Sequence, residues 1–207
     1  MALVDLLYLC PDCGAEAMEG KGSEATCAGC GTSFATHGRG QGILVTSADQ
    51  GSQVVAAHEL ASGIEAHDSV LKAVRQGTGG VLRRTRVLLS LAVGEGPVRH
   101  GDRILGFIEE FGPPDAGELT LTSDGLTFTS EGEELREWRL AELTALQAAS
   151  SSLQLTQPGR PLASFRFRSD STRRWESLLR EAIRRVWREA GRGEVDEFQP
   201  RIRAHGS

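Results

Sequence analysis

The clearest periodicity in the chain is helical and lies near its end. Trp175, Leu178, Leu179, Ala182, Ile183 and Val186 recur at three- and four-residue steps, which lines them up on one face of a helix over 171–190. Ser169 or Ser171 can cap its start, Asp170 favours the positive end of its dipole, and Gly191 and Gly193 stop it. From residue 83 to the start of this helix the period is two. Thr85–Val93, Arg103–Phe111, Glu118–Thr122, Leu126–Thr129, Glu137–Gln147, Ser152–Thr156 and Leu162–Arg168 read as seven strands. Ser123-Asp124-Gly125 is a hairpin signal between the third and fourth.

Upstream the pattern is weaker. Residues 1–9 are apolar and read as a strand. Residues 31–36 alternate and read as another, with Phe34 as the apolar residue beside whatever 10–30 build. Val54, Val55, Leu60, Ile64, Val70, Leu71 and Val74 fit one or two short helices over 53–75. Gly77-Thr78-Gly79-Gly80 marks a joint. Seven strands followed by one amphipathic helix is the element order of a pleckstrin-homology-like (PH-like) or GRAM-like domain. In that fold the helix plugs one end of a bent, seven-stranded antiparallel barrel. The expected fold class is therefore mainly β with α.

Composition changes this picture little. The chain has 207 residues, 39% hydrophobic and 25% charged, which suits soluble globular domains. No apolar run reaches the ~18 residues of a membrane span. The start lacks a basic segment and contains Asp5, so it makes a poor export signal. Charge is more informative. The net charge of −5 is uneven: residues 160–192 hold ten arginines against four acids, whereas 1–42 hold two basic and five acidic side chains.

Chemistry concentrates in the four cysteines. Cys10-Pro-Asp-Cys13-Gly14 and Cys27-Ala-Gly-Cys30-Gly31 are two Cys-x-x-Cys pairs, thirteen residues apart, each followed by glycine. A two-residue gap lets one tight turn aim two sulfurs at one ion. The glycines allow positive φ, so that backbone N–H groups turn toward the thiolates. The spacer fits a short hairpin, giving a zinc ribbon with Cys10, Cys13, Cys27 and Cys30 as ligands of a structural Zn2+. Metal-paired thiols point to the reducing cytoplasm. The expected organisation is a zinc ribbon over 1–42, a helical linker over 43–82, the PH-like unit over 83–191 and a loose tail over 192–207.

No catalytic constellation accompanies the metal pairs. There is no Gly-x-Ser-x-Gly and no His-Glu-x-x-His, and no cysteine is left over as a nucleophile. An acidic ribbon also disfavours nucleic acid, whose backbone demands Lys and Arg. The arginine-rich segment is the one electrostatic candidate for an anionic partner. Arg166, Arg168, Arg173, Arg174, Arg184 and Arg185 are the expected contacts to an anionic membrane surface, against the alternative of a solvated polar face.

Taken together, the chain resembles the C-terminal extension of some bacterial 1-acylglycerol-3-phosphate (lysophospholipid) acyltransferases. In those a Cys-x-x-Cys ribbon with Lys-Gly between its knuckles precedes a helical segment and a β-rich tail. Lys21-Gly22 sits in the matching place here. The resemblance implies an accessory module, peripheral at the inner face of the membrane, whose partner is another protein or a catalytic domain that precedes it. The catalytic His-x-x-x-x-Asp of that family is absent, so no catalytic residue carries over. The competing expectations are an independent protein-interaction adaptor and, behind it, a nucleic-acid-binding ribbon.

Overall fold

A computed structural model describes residues 3–38, 42–78, 80–149 and 151–192. The glycine-rich loop at 39–41, Gly79 of the glycine joint, Ser150 and the tail from 193 lie outside the described residues. The chain is mainly β, with two antiparallel sheets and a long C-terminal helix.

The first sheet is a five-stranded meander: β1 (Met18–Lys21), β2 (Glu24–Cys27), β3 (Ser33–His37), β4 (Gly42–Ser47) and β5 (Gly51–Val55). Its last two strands lie where a helical linker was expected from residue 43. Ile43 and Val45 alternate inward, and Gly51, at φ 70°, turns the chain back, so the local period is two rather than 3.6. Before the sheet, Leu3–Leu6 form one helical turn, α1, instead of the expected strand. Leu3 and Leu7, four residues apart, are both buried, and the Leu7 amide donates to the Leu3 carbonyl. Two helices follow, α2 (Ala57–His67) and α3 (Ser69–Gln76). They break at Asp68, whose extended backbone interrupts the helix and whose carboxylate accepts from the Val70 and Leu71 amides.

The second sheet runs β10-β9-β8-β6-β13-β12-β11. Its strands are β6 (Val81–His100), β8 (Asp115–Thr122), β9 (Gly125–Ser130), β10 (Leu135–Arg139), β11 (Ala145–Ala148), β12 (Ser152–Thr156) and β13 (Ala163–Phe167). The strand expected over 137–147 is two strands, because a 3-10 turn at Leu140–Glu142 buries Leu140 and turns the corner. The closed barrel does not form: β10 and β11 are the two ends of the order and no described pairing joins them. α4 (Thr172–Glu189) covers the gap instead, packing on β11, β12 and the 3-10 turn.

β6 is twice as long as its sheet requires. Residues 81–91 pair with β8 and β13. Beyond Ala92, whose amide still donates to the Leu162 carbonyl, residues 93–100 pair only with β7 (Arg103–Phe111), and together they form an arm that leaves the sheet. β7 was expected inside the seven-stranded sheet and is not part of it.

Two apolar cores result. The larger joins the second sheet to α4 and α3, with Trp175, Phe128, Phe165, Leu71 and Val74 buried. The smaller joins α1, the first sheet and α2, with Phe34, Leu60 and Ile64 packed around Cys10 and Cys27. The division between them falls at Asp68, not at the glycine joint, because α3 turns its apolar face to the larger core.

Candidate metal centre

Each Cys-x-x-Cys pair sits on a tight turn. The Gly14 amide donates to the Cys10 carbonyl at 2.9 Å and the Gly31 amide to the Cys27 carbonyl at 2.8 Å. Both glycines have positive φ, 75° and 77°, a conformation that L side chains rarely adopt. Strand β2 ends at Cys27, and β1 and β2 fold the second turn back onto the first.

The four sulfurs converge: all lie within 4.8 Å of one another. Cys10 to Cys30 and Cys13 to Cys27 are each 3.7 Å. A disulfide requires about 2.05 Å, so the cysteines are free thiols. Four thiolates about 2.3 Å from one ion have sulfur–sulfur edges of about 3.8 Å, so the donor set fits a tetrahedral metal. Cys10 and Cys27 are buried and Cys13 and Cys30 exposed, placing the cluster at the rim of the smaller core. Burial pushes the Cys10 thiol well above its ordinary range. The Thr32 hydroxyl, 3.3 Å from Cys30 Sγ, and the Thr32 amide bring Cys30 down to about 6.

Helix α2 braces the first turn. A Cβ on Gly63 would stand 2.9 Å from Pro11 Cβ, and one on Gly14 would meet His67 at 3.0 Å. Close approach therefore requires glycine at 63, a role no sequence motif announces. His67 and His58 are exposed, and neither belongs to the four-ligand cluster.

A second polar constellation, unseen in the sequence, ties the two cores together. Arg174, 2% exposed, reaches from α4 to Glu16 at 2.7 Å and to Asp68 at 3.2 Å, and lies over the Tyr8 ring. Burial and the charge of Asp68 push the Tyr8 hydroxyl up to about 12. Arg83 holds Asp170 through two hydrogen bonds of 2.7 and 2.8 Å and approaches Glu16. Ser171 caps α4 and donates its hydroxyl to the Asp5 carbonyl.

This clasp redistributes the six arginines expected at a lipid surface. Arg174 is inside it. Arg185 is buried against Glu189 and the Ser123 carbonyl. Arg173 and Arg184 pair with Glu176 and Glu181. Arg166 and Arg168 alone of the six are exposed without a described ion pair, on β13 and just beyond it. Lys21-Gly22 forms the exposed turn between β1 and β2.

No protein-family model matches the chain, and no curated protein matches it. Among solved structures, the linker–DH/PH domains of p115-RhoGEF are similar at 13% identity and a TM-score of 0.32. The match covers 68% of this chain and 45% of that one, so the chain spans under half of that structure's length. Among the described residues no helix is long and apolar enough to cross a membrane.

Proposed function

We propose that the chain is a non-catalytic accessory module: a zinc-stapled ribbon clasped to a PH-like β-unit that holds a partner rather than transforming a substrate. The observation that carries this reading is the four-sulfur cluster. All four vertices of the tetrahedron are protein thiolates, so the metal keeps no open position for water or substrate, the mark of a structural zinc. Metal analysis of the purified chain should find about one zinc per chain, lost in Cys27→Ser. A chain that folds fully without metal would overturn it.

The PH-like part rests on connectivity. One central strand, β6, pairs with both a three-strand meander and the last strand of the following hairpin pair, and a C-terminal helix covers the open side. The partner we propose, from the ribbon and Lys21-Gly22, is a lysophospholipid acyltransferase at the inner membrane face. Mixed with such a catalytic domain at micromolar concentration, the chain should co-migrate; two separate peaks would refute the pairing. Contact with anionic lipid falls to Arg166 and Arg168. Arg166→Glu/Arg168→Glu should abolish co-sedimentation with phosphatidylglycerol vesicles, and equal binding to neutral vesicles would refute it.

A further inference from the structure

The seam between the two cores is not filled. It holds a cleft of about 580 Å³ whose walls come from both units. On one side stand α1, the start of β4 and α2. On the other stand the β11–β12 turn, the end of β13 and the start of α4. A small-molecule site typically measures about 300–1,000 Å³, is mostly apolar and carries a few placed polar groups.

The interior of the cleft is aliphatic. Leu3, Leu7, Ile43, Leu60 and Ile64 line it from the smaller core and are buried. Phe167 is the one aromatic residue in the described lining. Leu6 stands at the edge, 38% exposed, and belongs to neither core. Branched side chains and alanines suit a flexible hydrocarbon better than a ring that needs an aromatic face to stack on. A peptide laid here would bring backbone donors and acceptors into an apolar interior, whereas a hydrocarbon chain brings none.

Apart from Asp5, the polar residues of the lining gather on the side of the larger core, around the start of α4. Most of the charges are engaged. Arg83 holds Asp170, and Glu176 accepts from both Arg173 and Arg180 at 2.8 Å. The Ser171 hydroxyl crosses the seam to the Asp5 carbonyl at 2.8 Å, and Asp5 has a further partner. That leaves Arg168, exposed at the cleft and without a described ion pair. Counted with these partners the site is positive by one charge. Arg83 cancels Asp170, Arg168 offsets Asp5, and the single Glu176 faces two arginines.

We propose that this cleft binds one unbranched acyl chain ending in an anionic group, with the hydrocarbon in the seam and the anion on Arg168. Such a ligand touches both units beside the Ser171–Asp5 bridge. Arg168 is shared with the vesicle contact proposed above, but the cleft itself needs no bilayer. A failure of one is therefore distinguishable from a failure of the other.

Calorimetric titration of the zinc-loaded chain with decanoate and with decyl phosphate, below micelle formation and without vesicles, should show one molecule bound per chain in the micromolar range. The tighter of the two names the head group. Decanol, which keeps the chain and loses the charge, should bind roughly tenfold more weakly, and butyrate should not bind. Arg168→Glu should weaken decanoate roughly tenfold. Ala61→Trp should fill the cleft and abolish binding. Zinc content and circular dichroism report folding, and should Ala61→Trp not fold, the exposed Arg168 carries the test alone. Arg188→Glu, at the far end of α4, should leave binding unchanged. Amide shifts on titration should centre on Leu6, Ala61, Ala149 and Arg168. The proposal is overturned if neither anion binds below the millimolar range, if decanol binds as tightly as decanoate, or if Arg168→Glu or a folded Ala61→Trp makes no difference. It is equally overturned if Arg188→Glu weakens binding as much as Arg168→Glu, or if the shifts centre on the exposed apolar residues of the arm, Val93, Ile104 and Ile108.

Discussion

Arg174 shows how much one side chain can hold. It is buried between a helix, a knuckle-proximal acid and the cap of α3, so removing it strands the Asp68 carboxylate in the interior. Arg174→Ala should cost roughly 3 kcal/mol in urea denaturation, as for other broken buried pairs. Arg174→Met with Asp68→Asn should recover much of that loss, because the asparagine keeps the α3 cap and the other partner, Glu16, is exposed, so no buried charge is left unpaired. Gly63 acts in the opposite way, by having nothing to give. Gly63→Val should cost about 1–3 kcal/mol through collision with Pro11 and should speed zinc loss to a chelator, read with a colorimetric indicator. The two residues differ from the cysteines in legibility. Cys-x-x-Cys-Gly repeats state their chemistry in one dimension, because knuckle geometry is local. Arg174 looked like one more surface arginine, since its partners Glu16 and Asp68 are distant in sequence and only the docking of two cores brings them to it.

At the scale of elements, alternation and helical period were readable wherever one face is buried. α4 and the strands β8, β9, β12 and β13 follow their apolar residues closely. The errors have physical causes. In residues 43–55 the apolar Ile43, Leu44 and Val45 are separated from Val54 and Val55 by eight mostly polar residues, so neither short strand shows an alternation long enough to read. The arm was misplaced for another reason: its alternation is genuine, but alternation says a segment is a strand and not which sheet it joins. Because no described arm side chain enters a core, replacing residues 93–111 with a short turn should leave the thermal midpoint of the larger core unchanged. A drop of several degrees would show that the arm supports the sheet.

For the whole molecule the two cores are unequal, and the smaller is built around the four cysteines that could hold a metal. Chelation should expose residues 3–67 to hydrogen exchange first while 69–192 remain protected, a boundary at Asp68. The clasp adds a pH dependence. Burial would raise the Asp170 pKa, but the hydrogen bonds from Arg83, Trp175 and the Ser171 amide outweigh it and hold the carboxyl below its ordinary value. A depressed carboxyl gives stability that is fully present above its unfolded pKa and is lost as pH falls through its folded one. Acidification below the ordinary carboxylate range should therefore loosen the start of α4 from β6 within the larger unit, and Asp170→Asn should remove that part of the acid sensitivity in urea melts taken at several pH values.

β6 belongs to both the sheet and the arm without a break in the strand. The bulges that shift its pairing bend it, and Gly94 and Gly96 follow the junction, yet no loop interrupts the strand. Nine residues from Ala92 to His100, at about 3.3 Å each, extend some 30 Å from the sheet. Anything grasped near the apex is thus held out from the sheet by that reach, and the chain works as a spacer as much as a clamp.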